Sequence, residues 1–373
     1  MPYKSNSIVI IATVVFAVNA FAGVRLTEEP VDGATTYRLE NERVSLVINP
    51  QRGGAVTSYR DKGGDNVELV APGKPYGMCM DHFQEQNWPG ELMDVPYDAR
   101  IVTQDADACA VEVSRRVTGD YRGDVNEKLK DIQLVKTYTL RADSPALRCE
   151  VVVSAPANRP SSGAYWLQSI AYPGGAYESR RDFSYRPSTR GVRAKSGDFE
   201  GQITGGEDFL KDAVDGWIGM IDRETMNGYV MLCEYDKVRF LYCNSGSRTV
   251  ELMFLPCYLP AGASETYTTW VVPVAGLENV VAATPDYVAG YRMSSDGEGN
   301  GELELSVVRS VHAAPSLTIA VTIESVTHRA RPDEDGRERP TSNHSVPARS
   351  TGRGGIDGVR ESARGPAPVI GWP

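Results

Sequence analysis

The stretch GWIGMIDRETMNGYVMLCEYDKVRFLYC (Gly216–Cys243) decides the fold class. It is three short apolar, β-branched and aromatic runs separated by turn chemistry at Thr225-Met226-Asn227 and Asp236-Lys237. Such runs read as strands, because branched and aromatic side chains suit a pleated, half-buried surface. The pattern continues through Asn244-Ser245-Gly246 into TVELMFL (Thr249–Leu255), and through Pro260-Ala261-Gly262 into ETYTTWVV (Glu265–Val272). Successive hairpins at this spacing predict a β-sandwich or barrel.

Working outward, the same grammar holds upstream. Thr36–Leu39, Arg43–Ile48, Ala55–Tyr59 and Asn66–Val70 read as short strands broken by Gly53-Gly54 and Gly63-Gly64. Ala99–Val102 and Ala108–Val113 form an expected hairpin, and Ile132–Leu140 and Leu147–Val153 flank an Asp143-Ser144-Pro145 turn. The polar stretch from Gly174 to Gly206 carries no clear strand and reads as a large loop with Arg180, Arg181, Arg186, Arg190 and Arg193 spread through it. Downstream, Leu277–Tyr291 reads as a helix split at Pro285. A domain over residues 23–293 is expected, then a linker with short strands over 294–327. The tail from His328 to Pro373 is rich in Arg, Gly, Pro and Ser, cannot offset its ordering entropy and is expected to be disordered.

The chain has 373 residues, 41% of them hydrophobic, so a sizeable core is available. A net charge of −10 argues against nucleic acid as partner, since phosphate backbones reward clustered cations. At the start, Lys4 precedes the apolar run Ile8–Val18 and Ala20-Phe21-Ala22 offers a small-residue cleavage site. This is the outline of a signal peptide over residues 1–22, too short for an ordinary span. The mature chain is expected to begin near Gly23, outside the cytoplasm (periplasmic or secreted) and without membrane insertion. Six cysteines (Cys79, Cys109, Cys149, Cys233, Cys243 and Cys257) leave fifteen possible pairings and no C-x-x-C metal spacing. No phosphate-loop, G-x-S-x-G, H-E-x-x-H or dinucleotide fingerprint is present, so no cofactor is expected.

Chemistry concentrates in YGMCMDHFQEQNWPGELMDVPYD (Tyr76–Asp98). It breaks at Pro89, Gly90 and Pro96 and reads as a long functional loop between strands. His82 is the first of the chain's four histidines, the next being His312. Aromatic faces beside carboxylates, amides and an imidazole suit a sugar, whose ring face stacks while its hydroxyls need donors and acceptors. Asp81, Trp88 and Glu91 from this stretch, with Tyr165, Trp166 and Gln168 from YWLQSIAY (Tyr165–Tyr172), are the expected substrate contacts. His82, Glu85 and Glu251 are the candidate acid–base groups, histidine because it titrates near neutrality. The competing reading puts the aromatics in the core and the charges in water.

Two segments resemble the galactose mutarotase-like, or β-supersandwich, family of carbohydrate-binding proteins. LENERVSLVINPQRGGAVTSYRDKGGDNVEL (Leu39–Leu69) resembles its opening strand, turn and Gly-Gly step. TVELMFLPCYLPAGASETYTTWVV (Thr249–Val272) resembles its closing hairpin with a Pro-x-Gly turn. The resemblance implies an all-β antiparallel supersandwich over about Thr36–Tyr291, cupping a saccharide ligand. Mutarotases of that family use two histidines and a glutamate; Glu251 falls near the position of that glutamate, whereas His82 lies far earlier than the pair would. Fold alone leaves function open. The expected function is exported carbohydrate binding, with a carbohydrate-active enzyme (epimerase, hydrolase or lyase) and a non-catalytic interaction domain as alternatives.

Overall fold

A computed structural model of the chain describes residues 6–15, 23–71, 77–176, 180–196, 207–244, 249–295, 301–311 and 316–325. Among these the protein is antiparallel β throughout, relieved only by a one-turn 3₁₀ segment at Tyr235–Lys237. It divides into two units: a small one of residues 1–17, 190–192 and 315–373, and the body, 18–189 with 193–314. The small unit contains one antiparallel pair, Asn6–Val15 with Ser316–Ser325. The expected tail, 328–373, lies outside the described residues, as do 296–300, 312–315 and 326–327 of the expected linker; its other residues include the strands Gly301–Arg309 and Ser316–Ser325.

The body is built on a nine-stranded sheet. Third from one edge, Gln133–Arg141 pairs with Ala108–Arg116 on one side and Leu147–Ser154 on the other. Leu134, Lys136, Tyr138 and Leu140 are buried, while the residues between them are half-exposed, the period-2 pattern of a sheet packed on one face. Two five-stranded sheets lie in the body as well. The first runs Arg25–Val31, Ala34–Glu40, Val44–Asn49, Ala55–Asp61, Val67–Glu68 and supplies Leu39, Leu46, Ile48, Val56 and Tyr59 to the main core. The Tyr59 hydroxyl donates to the Pro145 and Val271 carbonyls at 2.7 and 3.1 Å, fastening it to strands of the large sheet. The second places Tyr165–Ile170 between Thr249–Phe254 and the edge strand Met80–Phe83. Tyr165 and Phe254 stack with ring centroids 6.0 Å apart, and Tyr267 from the large sheet lies 5.2 and 4.6 Å from them.

Several expectations change. Gly216–Cys243 does not continue as neighbouring hairpins. Trp217–Asp222 pairs with Asn227–Cys233 in the large sheet. The chain then crosses through the 3₁₀ turn, and Val238–Asn244 pairs with Thr249–Phe254 in another sheet. Hydrophobic pattern cannot show that a strand changes sheets. The expected helix at 277–291 is a hairpin, Ala282–Ala283 with Tyr287–Ser295. Pro285 sits in its turn, where Thr284 Oγ1 accepts from the Asp286 and Tyr287 amides at 3.2 and 3.3 Å. Tyr287–Ser295 then pairs with Gly301–Arg309. The 174–206 stretch contains the strands Asp182–Ser188 and Gly191–Ser196 rather than one loop. Arg186 there is fully buried and ion-pairs with Asp208. The Tyr76–Asp98 loop begins later than expected, because Met80–Phe83 is a buried strand.

The two sheets meet at a buried ion pair. Lys136 Nζ on the large sheet is 2.7 Å from Asp81 Oδ2 on the edge strand, and both side chains are inaccessible to solvent. Asp81 also accepts from the Tyr97 hydroxyl at 2.8 Å and the Tyr165 hydroxyl at 2.6 Å. Lys136 donates to the Cys79 carbonyl at 2.7 Å. Lys136→Met strands the carboxylate in the core and should cost about 3–5 kcal/mol, read as a lower urea midpoint at unchanged slope. A loss under about 1 kcal/mol, the worth of an exposed pair, would show that water reaches Asp81.

Candidate functional site

In antiparallel strands side chains alternate between faces, so residues opposite one another across a ladder share a face. Trp166 is opposite His82 and Met253; Gln168 is opposite Met80 and Glu251. Tyr242 is opposite Glu251 one strand further on. His82, Trp166, Gln168, Glu251 and Tyr242 therefore form one contiguous patch on the sheet face turned away from Asp81 and Tyr165. Asn244 Nδ2 donates to Tyr242 Oη at 3.0 Å. The His82 and Trp166 rings are 5.3 Å apart.

The loop after Phe83 reaches this patch. Trp88 is 51% exposed, yet its Nε1 donates to Gln168 Oε1 at 3.0 Å, so the indole is fixed at the rim with ring surface left for contact. Gly90 closes the loop against the imidazole: its φ is +74°, and a Cβ there would sit 2.7 Å from His82 Nδ1. Only glycine combines that dihedral with that approach.

Two buried donors on the patch, Trp166 Nε1 and Gln168 Nε2, make no hydrogen bond among the described residues. Buried polar atoms are ordinarily satisfied, and leaving one unmade costs about 1–3 kcal/mol. Donors so placed are ready for ligand oxygens. Burial pushes the His82 imidazole down to about 4, against the pull of the Pro89 and Gln86 carbonyls, which favour the charged ring. At neutral pH His82 is uncharged and a weak base, poorly matched to proton abstraction.

The structure thus brings together His82, Trp88, Trp166, Gln168 and Glu251. Asp81 and Tyr165 belong to the opposite, core face, committed to the ion pair with Lys136. Glu85 is exposed, and both its carboxylate oxygens accept from the Ala164 amide at 3.0 and 3.1 Å. Glu91 accepts from Gln86 Nε2 at 2.8 Å, from the Thr118 and Gly119 amides at 2.8 and 2.9 Å, and from the Thr118 hydroxyl. These two carboxylates hold the loop. Tyr242 went unnoticed in the sequence; its only signal was alternation along VRFLYC. Among the described residues no group of acidic, His and Cys side chains has metal-binding geometry.

No protein-family model matches the chain, and no curated protein matches it. Many of its structural neighbours are galactose mutarotase-like or aldose-epimerase-fold proteins. A galactose mutarotase-like protein from Clostridium acetobutylicum is similar over 68% of this chain and 99% of its own, at 10% identity and a TM-score of 0.49. One from Lactobacillus casei is similar over 64% of this chain and 100% of its own, at 14% identity and a TM-score of 0.48. A TPR-domain containing protein from Parabacteroides distasonis is similar over 80% of this chain at 13% identity and a TM-score of 0.47, and the chain spans 59% of its length. At these TM-scores the likeness is loose, and the fold rests on the strand order itself.

Acid should destabilise the body through His82. The unfolded chain takes its proton near 6.5 and the folded one near 4. Above pH 6.5 the ring is neutral in both states and titration costs nothing; as pH drops through that window the unfolded chain is favoured, and below 4 the protonated, buried ring costs the fold roughly 3 kcal/mol. Between pH 7 and pH 4 the urea midpoint of wild type should therefore fall relative to that of His82→Gln, by the equivalent of roughly 3 kcal/mol, with most of the change between pH 6.5 and 4. Parallel curves would contradict a neutral, buried imidazole.

Proposed function

We propose that the protein is an exported carbohydrate-binding protein that seats a saccharide against His82, Trp166, Gln168 and Glu251, under the rim indole of Trp88. The observation that supports this most is the shared sheet face of Trp166 and Gln168, where two buried donors lack partners among the described residues beside a carboxylate. A sugar presents hydroxyls that donate and accept and an apolar ring face that stacks on indole. Glu251 supplies the acceptor, the amide and indole N–H groups the donors, and Trp88 the platform.

Binding is favoured over turnover. Mutarotation needs one group to take the anomeric proton and another to protonate the ring oxygen. An imidazole that gains its proton only near pH 4 serves neither step well at neutrality. Export rests on Lys4, the apolar run from Ile8 to Val18 and Ala20-Phe21-Ala22.

The test is calorimetric titration of the exported chain with neutral mono- and oligosaccharides, after its first residue has been read. A start near Gly23 is expected; a retained Met1 contradicts export. Trp88→Ala and Gln168→Ala should each weaken binding about three- to tenfold, the worth of one stacking contact or one hydrogen bond. Binding that both substitutions leave untouched would refute this site. Steady conversion of anomers at neutral pH, abolished by His82→Gln, would refute binding without turnover.

A further inference from the structure

The far side of the Trp88 loop carries a second concavity. A cleft of about 390 Å³ opens between residues 89–95 of the loop and the segment 115–122, lined by Asp94, Arg115, Asp120, Tyr121 and Arg122 among others. Gly90, which closes on the His82 imidazole, lines it too, but none of the side chains of the sheet-face patch does. Glu91 forms part of its wall and pins the two sides together through Thr118 and Gly119.

Its other edge is a tight hairpin. Asp120–Tyr121 pairs with Asp124–Val125, and the two turn residues, Arg122 and Gly123, have φ of 58° and 84°. Positive φ at both central positions is the geometry whose twist matches flanking strands, so the tip is held in one shape. Asp120 Oδ1 reinforces it by accepting from the Gly123 amide at 2.8 Å. The tip presents Tyr121 with the Arg122 guanidinium over its ring, 5.0 Å from the centroid. The Tyr121 hydroxyl is shielded from water and makes no hydrogen bond among the described residues. Across the cleft Arg115 donates Nη1 to the Pro96 carbonyl at 2.8 Å, which orients its guanidinium.

The charges interleave. Two guanidiniums, Arg115 and Arg122, line it with three carboxylates, Glu91, Asp94 and Asp120, of which Glu91 is taken up by the Thr118 and Gly119 amides, so the cleft has no strong single-sign field to select an anion or a cation. Fixed donors and fixed acceptors beside an aromatic ring at the edge suit a neutral polyhydroxylated unit. We infer that this cleft is a second saccharide subsite, taking a neutral sugar unit on the side of the Trp88 loop opposite the sheet face. This adds to the preceding reading and borrows from it only the class of ligand.

The two sites report separately in one experiment. In ¹⁵N-labelled full-length protein the Trp88 and Trp166 indole N–H signals report the sheet face, and the Gly119 and Gly123 amides report the cleft. Titration with neutral gluco-, galacto-, manno- and xylo-configured di- and trisaccharides should shift the glycine amides saturably with at least one series. Tyr121→Phe and Arg122→Ala should each weaken that cleft binding roughly five- to tenfold, as loss of one hydrogen bond to a polar or charged group does, while leaving the indole titration unchanged. Glycine amides that stay fixed with every sugar overturn the inference even if the indoles move. Moving amides with fixed indoles would uphold the subsite and refute the sheet-face reading. Cleft binding indifferent to both substitutions also overturns it.

Discussion

The Asp81–Lys136 ion pair sets which way the edge strand Met80–Phe83 faces. A strand alternates sides residue by residue, so a carboxylate drawn toward Lys136 turns the next residue, His82, to the opposite face of its sheet. A slip of one position would turn the imidazole toward Lys136 and expel the carboxylate from its cation and two phenols. An uncompensated buried charge costs several kcal/mol, so the alternative register is strongly disfavoured. The pair thus fixes register, the best-attested use of buried ionic groups, and register places His82 beside Trp166. Burial first, and then the Asp81 charge, holds the Tyr97 and Tyr165 phenols well above their usual range, so both remain hydrogen-bond donors to the carboxylate.

The loop that follows converts that register into a site. Its carboxylates are anchors: Glu85 accepts from the Ala164 amide, and Glu91 ties Gln86 to Thr118 and Gly119. With both ends fastened, Trp88 is held at the rim by a hydrogen bond to Gln168, and Gly90 closes on the imidazole. Apart from Trp88, the groups left to meet a ligand come from strands, the more rigid part of the scaffold.

Much of the fold was legible because strand signals are local. Alternation in IQLVKTYTL and the Asp143-Ser144-Pro145 turn are read from a handful of neighbours, and both elements formed as expected. Crossing between sheets after Cys233 is not a local property, and neither is the burial of Arg186 by Asp208. Leu277–Tyr291 misled because its apolar spacing suits either period, and Pro285 marks a turn as readily as a kink. In the site, sequence found the right neighbourhood and the right residue types. It could not separate Asp81 from His82, adjacent residues on opposite faces, since that depends on which one meets Lys136, more than fifty positions later. It also could not tell a carboxylate that binds ligand from one that caps backbone amides, as Glu85 and Glu91 do.

The most direct test is crystallographic: crystals of the body grown with the tightest-binding neutral oligosaccharide. A sugar ring stacked on Trp88, with hydroxyls within hydrogen-bonding distance of Gln168 Nε2, Trp166 Nε1 and Glu251, is the predicted result. Density for the sugar only elsewhere on the molecule, with Trp88 and Gln168 unengaged, would contradict the account.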